Sequence, residues 1–159
     1  SGQIRLPQFS QDVHHEVELV LRFNDQGNFD AMAIGLDLTI RDVQIELKKM
    51  GHPWTLSKSF RDSAPLGPWI DISSLNADGT DWPDLEIRLH KNNQLVQSGK
   101  MSEMVFAISE LAQYIWQNFP VVAGDALFTG TPPGVGLIAS GDHLKCEIVG
   151  YSSATWTVI

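Results

Sequence analysis

Glu16 and Glu18, one residue apart in the run His14-His15-Glu16-Val17-Glu18, are the side chains of this sequence whose spacing most directly implies chemistry. On a strand, residues i and i+2 point to the same face, so the two carboxylates can reach one small ion. Neighbouring unpaired carboxylates repel and lose hydration when half buried, so their pairing calls for a compensating cation. Hard oxygen ligands select Mg²⁺, Mn²⁺ or Ca²⁺. The spacing alone equally describes a solvated strand face bearing two acids, and His14 and His15 add little to either reading. Asp37 is the best third oxygen ligand: it interrupts the apolar run Ile34-Gly35-Leu36-Asp37-Leu38, where an unpaired charge is expensive, although it could instead cap the helix that follows. On that helix Arg41, Gln44 and Lys48 fall at i, i+3 and i+7, a stripe able to hold a carboxylate substrate or to face solvent. In Thr129-Gly130-Thr131-Pro132-Pro133-Gly134-Val135-Gly136 the glycines let backbone approach a ligand, and the two threonine hydroxyls could bind an anion. The segment is not a phosphate loop, since it lacks Gly-Lys-Ser/Thr and no helical pattern follows. No serine stands in a nucleophile-elbow context, and Cys146 has no neighbour that would activate it.

The elements that must position these residues can be read from periodicity and breakers. Val13 to Phe23 alternates in its first half and reads as a strand, followed by a turn at Asn24–Asn28 and a largely buried strand from Ala31 to Leu38. Thr39 to Met50 has helical spacing, with Thr39 as its N-cap, Lys48 and Lys49 in the last turn and Gly51 as the stop. Residues 54 to 84 read as loop, including Asn76-Ala77-Asp78-Gly79. Leu85 to His90 and Gln94 to Gln97 form a hairpin about Asn92-Asn93. A helix is expected over Val105 to Phe119 and a short strand over Ala126 to Thr129; strands Leu144 to Val149 and Ala154 to Ile159 end the chain. More strands than helices, with helices set between hairpins, give an α+β class with a β-rich core.

Composition narrows the function. Eleven Lys and Arg against nineteen Asp and Glu leave a net charge of −8, which argues against nucleic acid or an anionic membrane surface as the main partner. A hydrophobic share of 43%, with five Trp and seven Phe, is enough for a sizeable core. One cysteine excludes an internal disulfide framework and a Cys-based metal cluster. No apolar run is long enough to span a bilayer, and Ser1-Gly2-Gln3-Ile4-Arg5 lacks the apolar core of a signal peptide, so the cytoplasm is the expected compartment.

Taken together, the segments resemble the fumarylacetoacetate hydrolase family, and most closely its acylpyruvate hydrolase and oxaloacetate decarboxylase-like branch. The resemblance lies in His14-His15-Glu16-Val17-Glu18-Leu19, in Leu36-Asp37-Leu38-Thr39-Ile40-Arg41-Asp42-Val43-Gln44 and in the stretch from Lys48 to Phe60. It continues in Gly124-Asp125-Ala126-Leu127-Phe128-Thr129-Gly130-Thr131-Pro132 and Gly134-Val135-Gly136 and covers nearly the whole chain. It implies a β-rich mixed-sheet roll with short helices, as a single catalytic domain over residues 1–159. It implies Mg²⁺ or Mn²⁺ held by Glu16, Glu18 and Asp37, with Arg41, Gln44, Lys58 and Thr131 on the substrate and with Lys58 and Arg41 as the catalytic cations. The substrate would be a small 2-oxo or 1,3-dicarbonyl acid, as in aromatic catabolism, and the assembly a homodimer.

Two departures from the family are visible. Its members carry an N-terminal region with a substrate-facing Lys and a His/Glu pair on a mobile lid, for which the sequence from Ser1 offers no counterpart; His14 and His15 belong to the metal strand and do not take that role. The stretch between Glu18 and Asp37 is also shorter than in family members, at Asn24-Asp25-Gln26-Gly27. The leading expectation is therefore a metal-dependent hydrolase or lyase working through a stabilised enolate. The alternative is a catalytically silent homologue that binds metal and oxo acid.

Overall fold

The computed structural model describes residues 2–75 and 82–159, so the loop expected at Asn76-Ala77-Asp78-Gly79 lies outside the described residues. In chain order the first elements are β1 (Gly2–Ile4), β2 (Val13–His15), β3 (Val17–Phe23), β4 (Phe29–Leu36), β5 (Thr39–Ile40), α1 (Arg41–Met50) and α2 (Thr55–Lys58). There follow β6 (Ile70–Asp71), a 3₁₀ turn (Ile72–Leu75), β7 (Glu86–Lys91), β8 (Gln94–Lys100), a second 3₁₀ turn (Met101–Glu103) and α3 (Ile108–Asn118). The chain ends with β9 (Ala126–Phe128), β10 (Gly136–Leu137), β11 (His143–Ile148) and β12 (Ser152–Val158). They form a five-stranded sheet β1-β12-β11-β7-β8, a four-stranded sheet β6-β4-β3-β9 and a three-stranded sheet β10-β2-β5. Only β1–β12 is a parallel pair among the named strands. This is the α+β, mixed-sheet architecture with short helices that the sequence led one to expect. Its core gathers Leu19, Leu21, Met32, Ile34, Leu36, Ile87, Leu89, Leu144, Ile148 and Trp156 from two of the sheets.

The run Val13–Phe23, expected as one strand, is broken at Glu16: β2 pairs with β5 and β10, and β3 pairs with β4 and β9. The returning chain changes sheet at the same level, between Leu36 and Thr39, and the Asp37 N–H bonds the Glu16 carbonyl across the gap at 2.9 Å. Glu16 and Asp37 thus stand at paired crossing points, where neither belongs to a ladder and both side chains can turn to one side. The stretch between them closes as a tight hairpin: Asn24 N–H bonds the Asn28 carbonyl at 2.8 Å, and Gly27 takes φ 77°.

Three local expectations are corrected. Thr39 lies buried in β5 and does not cap α1; its hydroxyl donates to the Asp37 carbonyl, and Asp42 instead accepts the Val43 N–H at 2.8 Å. Helix α3 begins at Ile108, because Glu110 reaches back to the Ala107 N–H at 2.8 Å and fixes the first turn there. The stretch read as loop contains α2 and β6, elements of four and two residues that are too short to leave a periodic signal. At the Asn92-Asn93 turn both residues take positive φ, 51° and 66°, the conformation that a two-residue hairpin of this hand requires. Among the described residues no helix is long and apolar enough to cross a membrane.

Candidate functional site

Both acids of the first strand pair are buried, Glu16 to 8% and Glu18 to 4% exposure, which removes the solvated-face reading. Glu18 sits in the centre of the four-stranded sheet opposite Gly35, whose missing side chain matters: a Cβ there would press on Val20 and Leu66. Asp37 comes in from the neighbouring crossing. One oxygen from each of Glu16, Glu18 and Asp37 lies within 4.8 Å of the others.

Two cations meet these acids from separate elements. Arg41, the first residue of α1, donates from Nη2 to Glu16 Oε1 at 2.5 Å and from Nη1 to Gln44 Oε1 at 2.7 Å. This bond fixes the orientation of the buried Gln44 amide, with its oxygen turned to Arg41. Lys58 arrives from α2, which is pinned by the Ser57 hydroxyl on the Trp54 carbonyl at 2.7 Å. Its Nζ bridges Glu16 Oε2 at 2.7 Å and Asp37 Oδ2 at 2.6 Å. Lys48 does not join the stripe: it lies about 10 Å along the helix axis from Arg41, and its Nζ stacks over the Trp54 ring, 4.4 Å from the centroid.

These contacts set the charge states. Burial would raise the Glu16 carboxyl, but the hydrogen bonds from Lys58 and Arg41 outweigh it and hold Glu16 below its ordinary value. Among the described residues no cation bonds Glu18: burial, with the charges of Asp37 and Glu16 beside it, pushes it up to about 7 against the bond from the Gly130 N–H at 2.7 Å and the positive charge of nearby Lys58. Burial raises Asp37 as well, with Lys58 opposing. Lys58 is raised: its burial acts the other way but is outweighed by Asp37 and Glu16. With Glu16, Glu18 and Asp37 ionised, three negative charges face two positive ones. The least compensated charge falls on Glu18, which Lys58 reaches only through its charge and to which, among the described residues, no cation donates a hydrogen bond. A hard divalent cation suits this donor set in both ligand type and charge.

The glycine-rich loop closes the other side, and it corrects one expectation. Neither threonine hydroxyl is a free donor: Thr129 Oγ1 gives its proton to the Leu19 carbonyl at 2.9 Å, and Thr131 Oγ1 gives its proton to the Val17 carbonyl at 2.9 Å. Any anion held here would meet backbone N–H groups. Gly134 takes φ 106°, and a Cβ would collide with the Val96 carbonyl oxygen. Gly134→Ala is therefore expected to cost about 2–3 kcal/mol, a fall of roughly 5–10 °C in thermal midpoint measured by calorimetry. Beside the loop a pocket of about 440 Å³ is lined by Ile87, Met101, Met104, Phe106, Leu111 and Pro132 among others. Cys146 is buried in the core, and burial pushes its thiol far up, so it is inert. Sequence reasoning missed Gln97, buried on β8 and bonded to Thr131, because nothing in a hairpin pattern singles out one polar position.

Comparisons with known proteins bear on this geometry. A family model described as fumarylacetoacetate (FAA) hydrolase C-terminal matches residues 1–159. The chain is 35% identical over 165 residues to the mitochondrial oxaloacetate tautomerase FAHD1 of Homo sapiens, covering 98% of this chain and 73% of that one. It is 32% identical over 160 residues to the mitochondrial oxaloacetate decarboxylase of Dictyostelium discoideum, covering 94% and 72%. Its fold superposes, at a TM-score of 0.91 and 27% identity, on fumarylpyruvate hydrolase from Pseudomonas aeruginosa, solved with Mn²⁺ and pyruvate, covering 100% of this chain and 71% of that one.

Proposed function

From the premise that the chain belongs to the fumarylacetoacetate hydrolase family, a family of enzymes, we propose that it is a divalent-metal-dependent hydrolase or lyase of 2-oxo and 1,3-dicarbonyl acids. The observation that carries this reading is the convergence of the Glu16, Glu18 and Asp37 oxygens within 4.8 Å, the two glutamates buried and Asp37 half-buried, flanked by Arg41 and Lys58. In this reading Glu16, Glu18 and Asp37 hold Mg²⁺ or Mn²⁺. Such an ion would supply Lewis acidity toward the 2-oxo acid head. The relation to a hydrolase solved with Mn²⁺ and pyruvate supports both the ion and the class of substrate head.

The chain's own residues have distinct tasks. Arg41 and Lys58 supply positive potential where negative charge develops on the substrate oxygens. Gln44 directs its amide hydrogens at the substrate carboxylate, and Thr131 meets the substrate through its backbone N–H. Stabilising an enolate serves C–C hydrolysis, β-decarboxylation and keto–enol isomerisation alike, so the three share one site. The apolar pocket beside Thr131 offers room for an acyl group larger than that of oxaloacetate. A homodimer is part of the proposal, tested by sedimentation equilibrium.

Turnover of acylpyruvates and oxaloacetate with Mg²⁺ or Mn²⁺ tests the reading. Activity is expected to fall at least about 100-fold after dialysis against EDTA and to return with either ion. Oxalate binding without turnover of any substrate would leave a binding homologue instead; neither binding nor turnover would end the proposal.

A further inference from the structure

Gln97 is 1% exposed, and its carboxamide makes two hydrogen bonds at each end. Oε1 accepts the Val17 N–H at 3.2 Å and faces His15 Nδ1 at 2.8 Å. Nε2 donates to Thr131 Oγ1 at 2.9 Å and to the Pro132 carbonyl at 2.8 Å. The orientation is forced: a backbone N–H can only donate and a backbone carbonyl only accept, so a flipped amide would oppose both Val17 and Pro132. The same logic puts the His15 proton on Nδ1. It also turns the Thr131 proton onto the Val17 carbonyl, the bond seen at 2.9 Å. Val17, which separates Glu16 from Glu18, is therefore gripped at its N–H by Gln97 and at its carbonyl by the threonine that Gln97 orients. The residue before that threonine, Gly130, donates to Glu18.

We propose that Gln97 is a positioning residue of the oxo-acid site: one buried carboxamide locks the loop Gly130–Pro132 to the strand that carries Glu16 and Glu18. It thereby fixes where the Gly130 N–H meets Glu18 and where Thr131 meets the ligand. It touches neither the acids nor the substrate and acts through Thr131, Pro132 and Val17. The inference rests on the oxo-acid reading for its ligand, though not for its geometry.

Gln97→Glu separates the two ends of the amide. As a carboxylate, which only accepts, it keeps an acceptor for Val17 and His15 but sets an oxygen against the Pro132 carbonyl, so it releases the loop and spares the strand. In the full chain, hydrogen exchange of the Gly130 amide in metal-free protein is expected to speed up at least about tenfold. Oxalate affinity at saturating Mg²⁺, read by calorimetry, is expected to fall at least about tenfold. A folded Gln97→Glu protein with wild-type Gly130 exchange overturns the proposal, because a role confined to overall stability would leave that amide protected below the unfolding transition. If this variant does not fold, Thr131→Val cuts the same link from the partly exposed loop: faster Gly130 exchange supports the lock and unchanged exchange overturns it. A wild-type chain that binds no oxalate with Mg²⁺ would remove the oxo-acid reading, while Gly130 exchange would still decide the role of Gln97.

Discussion

Glu18→Gln is expected to raise the stability of the metal-free protein at pH 8 while abolishing metal-dependent activity. Glu18 is buried, and its carboxyl is raised from 4.5 to about 7. The folded state therefore holds this proton more tightly than the unfolded chain does. As pH rises from 4.5, the unfolded state releases its proton first, so Glu18 lowers stability progressively until pH passes 7, where the loss levels off. At about 1.4 kcal/mol per pH unit the window amounts to roughly 3 kcal/mol at pH 8. Glutamine keeps an acceptor for the Gly130 N–H and carries no charge, so the variant avoids that loss. Urea unfolding in EDTA should give similar midpoints for the two proteins at pH 4, and a variant more stable by up to roughly 3 kcal/mol at pH 8. Mn²⁺ affinity should fall at least about 100-fold and turnover about 1,000-fold, because a neutral amide is a poor partner for a hard divalent ion. Two stability curves that stay parallel from pH 4 to pH 8 would mean that Glu18 is not the strained member of the cluster.

How much of this was legible in the sequence depends on the range of the interaction. The pair Glu16 and Glu18, the odd position of Asp37 in an apolar run, and the one-turn spacing of Arg41 and Gln44 are local patterns, and the structure brings all five together. The alternation of Val13–Phe23 shows which side chains share a face but not which strand lies alongside. The sheet change at Glu16, which frees that side chain from the ladder, leaves no local trace. Lys58 was found through family resemblance alone, since four helical residues between loops leave no period to read. Lys48 falls to the other alternative that the stripe left open: it has the right angular position on α1 but is exposed, with its ammonium over the Trp54 ring. The partners of the threonine hydroxyls and the part played by Gln97 were illegible for a third reason. A side chain's hydrogen-bond partners are set by tertiary neighbours more than 30 residues away, such as Val17 for Thr131.

Lys58→Met is expected to produce the complementary phenotype, and the comparison assigns the two roles. In the metal-free protein the Lys58 ammonium bridges Glu16 and Asp37, so methionine leaves two largely buried carboxylates without their shared partner, although Arg41 still holds one oxygen of Glu16. Breaking such a pair costs about 2–4 kcal/mol at neutral pH. The sign follows from the raised lysine: its contribution is complete below the ordinary value of 10.5 and is lost only as pH climbs through the higher folded value, so the whole of it is missing near pH 7. On acidification the orphaned carboxyls take up protons more readily, and the deficit relative to wild type should shrink. A divalent ion supplies the missing positive charge, so Mg²⁺ should stabilise Lys58→Met by more than it stabilises the wild type. Mn²⁺ affinity measured by calorimetry should be kept or improved, because the lysine competes for the ligand oxygens. Turnover of oxo acids should nevertheless fall about 1,000-fold, since the positive potential at the developing oxyanion is gone. A Lys58→Met protein that loses Mn²⁺ binding along with activity would reduce the lysine to a clamp that orders the acids. One that binds the ion, is rescued in stability by it and still fails to turn over would separate holding the metal from stabilising the enolate within a single cluster of side chains.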